Sequence, residues 1–393
     1  MMRSWDINFD MLVRTDDREV VSLAAKCHAL ASVIREIPIT PSRRDRIDRL
    51  NILRAVRGTT GIEGAELTEG EVALILDSSG GSVLPPGKER EEQEARNADR
   101  LMSYVARLLR ESPDCPLTEE LICKFHHITT HKVNYKHNVP GKYRNLPVSA
   151  GDYIPPQEGA KVRQLMKEFV SWFNEGKPTH WDPVIRAIVA HFYVVSIHPF
   201  GDGNGRASRA VESFLLYKAG INARGFYSLA NYYYQHRGEY TRYLDHVRFE
   251  TNGDLTPFVL FALRGLEEEL VGVHREVLLE VREIAFRDYA REELRSKLAT
   301  EPGKRMLDFI FLLGNATVSV KAIRRGEHAL SGLYHGLTSK TLSRDLNYLK
   351  EIEIILIEDG NVRANLDIMG RYVPPYDALK ESTEQNPAAP QLP

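Results

Sequence analysis

Hydrophobic residues recur at intervals of three and four positions over most of the chain, which is the spacing of one helix face. Residues 160–175 illustrate the pattern, because their apolar side chains fall on one side: Val162, Leu165, Met166, Phe169, Val170 and Phe173. Residues 182–197 are apolar almost throughout, which predicts a helix at the centre of the fold. The same spacing predicts helices at 16–37, 43–56, 89–110, 117–132 and 256–299. The predicted fold class is therefore mainly α.

Two parts of the chain depart from this helical pattern. Residues 141–156 contain Gly, Pro and short β-prone pieces, which predicts an irregular β-hairpin or flap. Beyond 301–303, which we interpret as a linker, helical segments precede two β-prone runs around an Asp-Gly turn, an order typical of a winged helix-turn-helix. The expected domains are an N-terminal helical region (1–110), a core (111–300), a winged-helix-like module (301–373) and a disordered tail rich in Pro, Glu, Gln and Ala (374–393).

Composition narrows the class of protein. The 393 residues include 52 Lys and Arg against 54 Asp and Glu, a net charge of −2, which excludes a surface that grips nucleic acid over its whole extent. Three cysteines exclude a disulfide scaffold and a four-cysteine zinc site, and favour a reducing compartment. The chain shows neither an apolar run of membrane-spanning length nor an apolar signal core at its start. We therefore expect a cytoplasmic protein without a membrane partner.

One segment, HPFGDGNGRASR at 198–209, concentrates candidate chemistry between two predicted helices. Its three closely spaced glycines and the helix start that follows predict an anion-binding nest of backbone amides. Arg206 and Arg209 are three residues apart, so they share a helix face, and their guanidinium groups suit phosphate oxygens. Asp202 offers one carboxylate of the kind that Mg²⁺ takes beside phosphates. His198 can accept a proton, and Asn204 can donate to a phosphoryl oxygen without adding charge.

This segment matches H-P-F-x-[DE]-G-N-G-R-x-x-R at every specified position and therefore resembles the signature of the Fic family. The resemblance implies a Fic-type helical core with a flap, and a protein adenylyltransferase that moves AMP from ATP to a Ser, Thr or Tyr hydroxyl of a protein. It implies that His198 is the general base and that Asp202 binds Mg²⁺. The residues that it assigns to the ATP phosphates are Gly203, Asn204, Gly205, Arg206 and Arg209.

A second motif lies upstream, where Thr59, Glu63 and Gly64 match [ST]-x-x-x-E-[GN], which resembles the inhibitory-helix motif of the same family. The resemblance implies that Glu63 pairs with Arg209 and occupies the position of the γ-phosphate. Such a carboxylate–guanidinium pair can break, so it can act as a switch. The motif precedes the core, which is the arrangement of the class with an N-terminal inhibitory helix. In some members the same glutamate supports removal of AMP, and the sequence leaves that alternative open.

The resemblance also implies roles for residues around the signature. In the flap, residues that match the family pattern are expected to dock an extended target segment, mainly through backbone pairing: Arg144, Val148, Tyr153 and Ile154. Asn231 and Tyr240 lie where the family builds its adenine and ribose pocket. Thr241 departs from the family's Y-Y-x-x-L pattern, so the nucleobase follows from the resemblance alone.

Three functions remain open at the level of sequence. The first is AMP transfer to a protein target, with modification of the chain itself included. The second keeps the fold and transfers another phosphate-containing group, although the intact Asn204-Gly205-Arg206 argues against phosphate transfer. The third is a nucleotide-sensing transcriptional regulator, in which the C-terminal module binds DNA; the same module could instead dock a protein or form a homodimer.

Overall fold

The computed structural model describes residues 2–78, 80–221 and 229–372. The chain divides into two compact units, Met1–Val277 and Leu278–Pro393. The helices that lie wholly in the first unit are α1 (Arg18–Glu36), α2 (Pro41–Ile62), α3 (Glu69–Asp77), α4 (Glu89–Glu111), α5 (Glu119–Thr129), α6 (Gly159–Glu175), α7 (Pro183–Ile197), α8 (Asn204–Lys218), α9 (Ala230–Gln235) and α10 (Arg237–Phe249). A further helix, α11 (Thr256–Glu293), begins in the first unit and ends in the second.

The mainly α fold class is confirmed, and side-chain caps explain where several helices begin. Asp17 accepts hydrogen bonds from the amides of Glu19 and Val20 at the start of α1. Thr68 and Glu71 form a capping box at the start of α3. Asp182 caps α7, and Pro183 occupies its first turn, where a missing amide hydrogen costs nothing.

The core of the first unit is centred on α7, which is buried from Val184 to Ile197 except at Arg186. It packs against α8, and one apolar cluster joins both helices to α1 and to the first part of α11. Parts of residues 1–110 therefore share one hydrophobic core with α5 to α10 and the first part of α11. The expected boundary at 110 does not separate two units, because α1 buries its apolar face on the helices that carry the signature.

The second unit contains α12 (Glu301–Leu313), α13 (Val320–Arg325), α14 (Ser339–Glu351) and a three-stranded antiparallel sheet. Its strands, β3 (Val318–Ser319), β4 (Ile355–Glu358) and β5 (Asn361–Ala364), lie in the order β3–β5–β4. The expected linker at 301–303 is instead the first turn of α12, because Thr300 caps it and Pro302 suits a first turn. The winged helix-turn-helix stays a prediction, and the predicted tail at 374–393 lies outside the described residues.

The flap is mostly irregular and contains one short strand, β2 (Tyr153–Ile154). Instead of a regular two-stranded hairpin, Tyr153 forms an isolated antiparallel bridge with Ala150. The other edge of β2 pairs in parallel with β1 (Arg3–Ser4) at the beginning of the chain. The described ranges also contain short 3₁₀ helices at Lys177–His180, Arg295–Lys297, Ala329–Tyr334 and Leu366–Tyr372. In the same part of the chain, each helix is too short or too polar to cross a membrane.

Candidate active site

His198 stands at the C-terminal end of α7 in a left-handed conformation, with φ of 53°. This conformation is rare for a residue with a side chain, and such strain concentrates at functional sites. Its ring Nδ1 lies 3.1 Å from the carbonyl oxygen of Val195, so we assign the proton to Nδ1 and the free lone pair to Nε2. Burial lowers the pKa of His198 to about 4. The ring is therefore neutral near pH 7 and can accept a proton.

The loop after His198 is closed by the side chain of Asn204. Its Oδ1 accepts a hydrogen bond from the amide of Phe200 at 2.8 Å, and its Nδ2 donates to the carbonyl of the same residue at 2.9 Å. Only 2% of Asn204 is exposed. The amide thus fixes the turn of its own loop, and its predicted donation to a phosphoryl oxygen stays a prediction.

The nest predicted from the glycines lies at the start of α8. Gly203 caps the helix with φ of 75°, and a side chain there would meet Thr130. The first amides of a helix, here those of Asn204, Gly205 and Arg206, have no partner within the helix and point outwards from its end. They therefore present a partial positive charge that suits an anion.

Arg206 is almost fully buried and is fixed by an acid from α4. Its Nη1 lies 2.9 Å from Oε1 of Glu94, and its guanidinium carbon lies 4.7 Å from the centre of the Tyr135 ring. Tyr135 donates its hydroxyl hydrogen to the same carboxylate, which also contacts Arg90. Burial lowers the pKa of Arg206, but the charges of Glu63 and Glu94 outweigh burial and raise it. The guanidinium is thus charged and held in one orientation beside the helix start.

Arg209 is 2% exposed and forms hydrogen bonds with residues of the second motif. Its Nη2 lies 2.6 Å from Oε1 of Glu63 and donates to the carbonyl of Thr59 at 3.1 Å, while its Nε donates to the hydroxyl of Thr59 at 3.0 Å. Thr59 and Glu63 are four residues apart near the end of α2, so both side chains reach the same guanidinium. The predicted pair between Glu63 and Arg209 is present.

Glu63 is the more exposed partner, with 27% of its side chain accessible against 2% for Arg209. Burial raises the pKa of Glu63, but the charges of Arg209 and Arg206 outweigh burial and lower it. The carboxylate is therefore ionised. A Cβ atom at Gly205 would collide with Oε1 of Glu63, so the Glu63 carboxylate rests directly on the start of α8.

Helix α2 reaches this position because it packs closely on α9. A Cβ atom at Gly58 would lie 2.6 Å from the backbone of Ala230, and one at Gly61 would lie 2.5 Å from the Tyr234 ring. The two glycines therefore allow the inhibitory segment to approach the helix that carries Asn231.

Asp202 offers a partly exposed carboxylate at the mouth of the loop, with 41% of the side chain accessible. Its Oδ1 accepts from the amide of Gly203 and lies 3.4 Å from Arg206 Nη2. In the part of the chain that the structure describes, no group of three or more His, Cys, Asp or Glu side chains forms a metal cage. Asp202 by itself fits a cation that takes most of its ligands from water and phosphate.

The backbone of Asp202 is held from outside by α5 and the loop after it. The carbonyl oxygen of Asp202 lies 2.9 Å from His126 Nε2, and the amide of Gly141 donates to His126 Nδ1 at 2.9 Å. The His126 ring stacks on Phe200 with centroids 3.7 Å apart. Burial lowers the pKa of His126 to about 4, so the ring is neutral. One imidazole thus joins the start of the flap to the loop that carries the signature.

The flap residues divide into buried supports and half-buried positions. Arg144 is buried and donates to the carbonyls of His198, Leu146 and Pro156, so its side chain supports the flap. Tyr153 donates to the carbonyl of Ser196 at 2.9 Å. Val148 and Ile154 are half-buried at the surface. Only the latter two of the four predicted docking residues present side chains there.

The two residues predicted for the nucleobase pocket are both in contact with other polar groups. The hydroxyl of Tyr240 lies 2.9 Å from Nε2 of the buried His191, and burial raises the pKa of Tyr240 to about 12. The Nδ2 of Asn231 donates to Glu269 at 2.6 Å. Tyr240 lies close enough to Arg209 and Glu63 for their charges to affect its pKa.

Sequence reasoning missed Glu94, Tyr135 and His126 as supports of the site. Glu94 lies in a helix rich in charged residues, where nothing in the sequence separates it from its neighbours. His126 is one of several closely spaced histidines, and their spacing does not indicate a zinc site. This feature therefore did not identify His126 as a support of the site. A signal was available in α5, because His126 lies beside Phe125 among the buried residues of an amphipathic helix.

Comparisons with known proteins agree with this geometry. Residues 116–216 match the model of the Fic/DOC family. Proteins named protein adenylyltransferase Fic are similar over part of their length: that of Aedes aegypti is 38% identical over 31% of this chain and 22% of its own, and that of Drosophila virilis is 29% identical over 66% and 50%. The chain thus spans half or less of the length of these relatives.

Solved structures support the same fold. A Fic family protein from Desulfovibrio desulfuricans has a TM-score of 0.53 and 21% identity, and the match covers 88% of this chain and 96% of that one. A fragment of Fic-1 from C. elegans has a TM-score of 0.52 and 25% identity, over 64% and 71%. The signature, the fold around it and the match of sequence lead to one conclusion: the chain carries a domain of the Fic/DOC family at residues 116–216.

Proposed function

We propose that the protein is an adenylyltransferase that transfers AMP from ATP to a Ser, Thr or Tyr hydroxyl of a protein, and that Glu63 inhibits it. The observation that carries the proposal is the placing of a neutral His198 beside the open amides at the start of α8, with Arg206 and Arg209 on the same helix. A base, an anion nest and two guanidinium groups are the parts that in-line transfer from a polyphosphate requires.

In the proposed reaction, the target hydroxyl oxygen attacks the α-phosphorus of ATP while its proton passes to Nε2 of His198. The bond between the α-phosphorus and the oxygen that bridges to the β-phosphate breaks, and pyrophosphate leaves. A base of this kind contributes roughly 10²–10⁴-fold. The amides of α8 and the guanidinium of Arg206 stabilise the charge that develops on the phosphate oxygens.

Asp202 is the residue that would hold Mg²⁺, and its exposed carboxylate at the mouth of the loop fits that role. The ion would neutralise phosphate charge when it is bound. ATP is the substrate implied by the names of the relatives, and the Mg²⁺ requirement is part of the proposal.

Inhibition follows from the contacts of Arg209. With Glu63 and Thr59 as partners, this guanidinium is not free for a γ-phosphate, and the carboxylate would repel one. Substitution of Glu63 therefore releases Arg209 to the nucleotide. Removal of AMP from a modified target, with Glu63 in a supporting role, is the alternative that uses the same atoms.

The test is mass spectrometry of the Glu63→Gly protein after incubation with Mg²⁺ and ATP, alone and in a lysate. We expect a gain of AMP on the protein itself or on a target, and no gain when His198→Ala is added. Glu66→Gly, at an exposed glutamate three residues away, is the matched control and should behave as the unaltered chain. A gain of phosphate alone would favour the transferase of another group, and no modification of any kind would contradict AMP transfer.

Binding of DNA, formation of a homodimer and the cytoplasmic location stay predictions from the sequence. The nucleotide-sensing regulator differs from the enzyme in one respect that can be measured, which is the absence of covalent transfer from ATP.

A further inference from the structure

The C-terminal unit has a groove of about 630 Å³ between α13 and the exposed face of α14. Three cations line it, namely Arg324 from α13 and Lys340 and Arg344 from α14, together with the polar side chains of Ser343 and Asn347. Arg324 donates to the hydroxyl of Ser343 at 3.1 Å, so the two helices contribute to one continuous surface. We call these five residues the α13–α14 surface.

The surface is more positively charged in the fold than the sequence of α14 alone indicates. Asp345 offsets Arg344 in the sequence, but in the fold it is 2% exposed and lies nearer to another cation, 2.8 Å from Nη2 of Arg305 against 3.9 Å from Nε of Arg344. Its charge is therefore balanced inside the unit. The carboxylate that lines the groove is that of Glu351, against three cations, and Lys321 is a further exposed cation on α13.

The neutral side chains of the surface can form hydrogen bonds with the edges of bases. Asn and Ser side chains form hydrogen bonds with bases in the major groove, and arginine binds guanine there or binds phosphate. A helix with its side chains is about 10–12 Å wide, which matches the width of the major groove. Lys340, Arg344 and Asn347 follow one another at intervals of four and three residues, so they lie along one face of α14.

A protein partner fits the surface less well. Specific protein interfaces bury an apolar centre. The lining of this groove, within the described part of the C-terminal unit, contains no aliphatic side chain, and its aromatic residue Tyr348 is half-buried under Lys297. The hairpin turn between β4 and β5 carries the exposed acids Glu358 and Asp359. These two carboxylates repel a polyanion, so a polyanion is expected to approach α13 and α14 and not the turn.

We propose that the α13–α14 surface binds double-stranded DNA, with α14 in the major groove and Arg324 on the phosphate backbone. This inference is independent of AMP transfer, because it uses residues of the second unit alone and requires no ATP. It resolves the alternatives that the sequence left open for this module in favour of nucleic acid.

The test measures fluorescence anisotropy of a labelled, mixed-sequence DNA duplex of about 25 base pairs with the full chain, from about 50 to 200 mM salt. We expect a dissociation constant on the order of micromolar that weakens as salt rises. Arg324→Ala should lower the slope of log affinity against log salt by about one, which is the effect of one lost phosphate contact. Arg344→Ala should weaken binding about tenfold. Glu351→Gln should strengthen binding, because it removes the groove's carboxylate.

Arg295→Ala is the matched control, because its side chain is 78% exposed in the same unit but lies outside the groove. It should leave the affinity unchanged, and thermal melting should show that all four variants are folded. The proposal is overturned if the duplex does not bind, or if Arg295→Ala weakens binding as much as Arg324→Ala. It is also overturned if a folded RNA displaces the duplex at equal concentration, or if the chain captures a protein through these residues but binds no DNA.

Discussion

Arg209 Nη2 and Glu63 Oε1 lie 2.6 Å apart although the two residues are 146 positions apart in the chain. The contact joins the end of α2 to the first turns of α8, where the open amides lie. A guanidinium that is 2% exposed has few alternatives to this partner, and its Nε and Nη2 also donate to Thr59. The inhibition that we propose therefore uses two residues on one helix face, with Thr59 as the second.

The first prediction concerns Thr59. Thr59→Ala removes the hydroxyl that accepts from Nε of Arg209, which weakens the inhibited state by about 1 kcal/mol, or about fivefold in its population. We expect AMP transfer to rise severalfold, and less than in Glu63→Gly, measured with ATP labelled at the α-phosphate. Thr59→Ser keeps the hydroxyl and should stay inhibited. Equal activity of Thr59→Ala and the unaltered chain would show that Glu63 inhibits alone.

The helices could be predicted well because their apolar spacing and their caps involve residues that are close together in the chain. The signature could be recognised because it is one continuous segment. Apolar spacing fixes which face of α7 or α8 is buried, and the caps at Asp17, Thr68 and Asp182 follow from residues within a turn. The pair between Glu63 and Arg209 followed from two motifs on one chain. The helices and their caps need no knowledge of how distant segments meet, whereas this pair joins distant segments and was expected from the family resemblance.

The supports of the site depend on contacts between distant segments, and the sequence did not reveal them. Glu94 and Arg206 are 112 positions apart in the chain, and only the fold brings α4 beside α8. The contacts of Asn204 and Arg144 could not be predicted from the sequence for a related reason. Their side chains bind backbone groups of nearby loops, and the direction of a side chain in an irregular segment has no periodic pattern to predict it.

The second prediction concerns pH. Burial lowers the pKa of His198 to about 4, and its neutral form is the one that accepts the proton, so acid removes activity and higher pH does not. The nearby Glu63 favours the charged ring, and its removal lowers the pKa further. AMP transfer by Glu63→Gly should therefore be constant from about pH 8 down to about pH 5.5, and then fall. A fall centred near pH 6.5, the ordinary value for histidine, would contradict the buried and neutral ring.

The third prediction concerns Glu94, the buried partner of Arg206. Glu94→Ala leaves that guanidinium without its 2.9 Å partner, and the loss of one member of a buried pair costs about 3–5 kcal/mol. Urea unfolding should show this loss, and the Michaelis constant for ATP should rise about tenfold in a Glu63→Gly background. Glu94→Gln keeps the shape of the side chain, and it replaces Glu94→Ala in these measurements if the alanine variant does not fold. Glu111→Ala, at the exposed end of α4, should change the unfolding free energy by less than about 0.5 kcal/mol.

The fourth prediction concerns His126, which bonds both the carbonyl of Asp202 and the amide of Gly141. His126→Ala removes two hydrogen bonds and the stack on Phe200, so the loop that presents the Asp202 carboxylate loses its outer support. In a Glu63→Gly background we expect the Mg²⁺ concentration for half-maximal transfer to rise about tenfold, and the amide of Gly141 to exchange faster with solvent.

The neighbouring His127 gives this prediction its control, because it is exposed on the same helix. His127→Ala should leave the Mg²⁺ dependence and the exchange of Gly141 unchanged. His126→Gln can restore a donor near the position of Nε2, and we expect it to recover part of the Mg²⁺ affinity while Gly141 stays unprotected. Faster exchange of Gly141 in His126→Ala with no change in the Mg²⁺ dependence would show that His126 supports the flap and does not position Asp202.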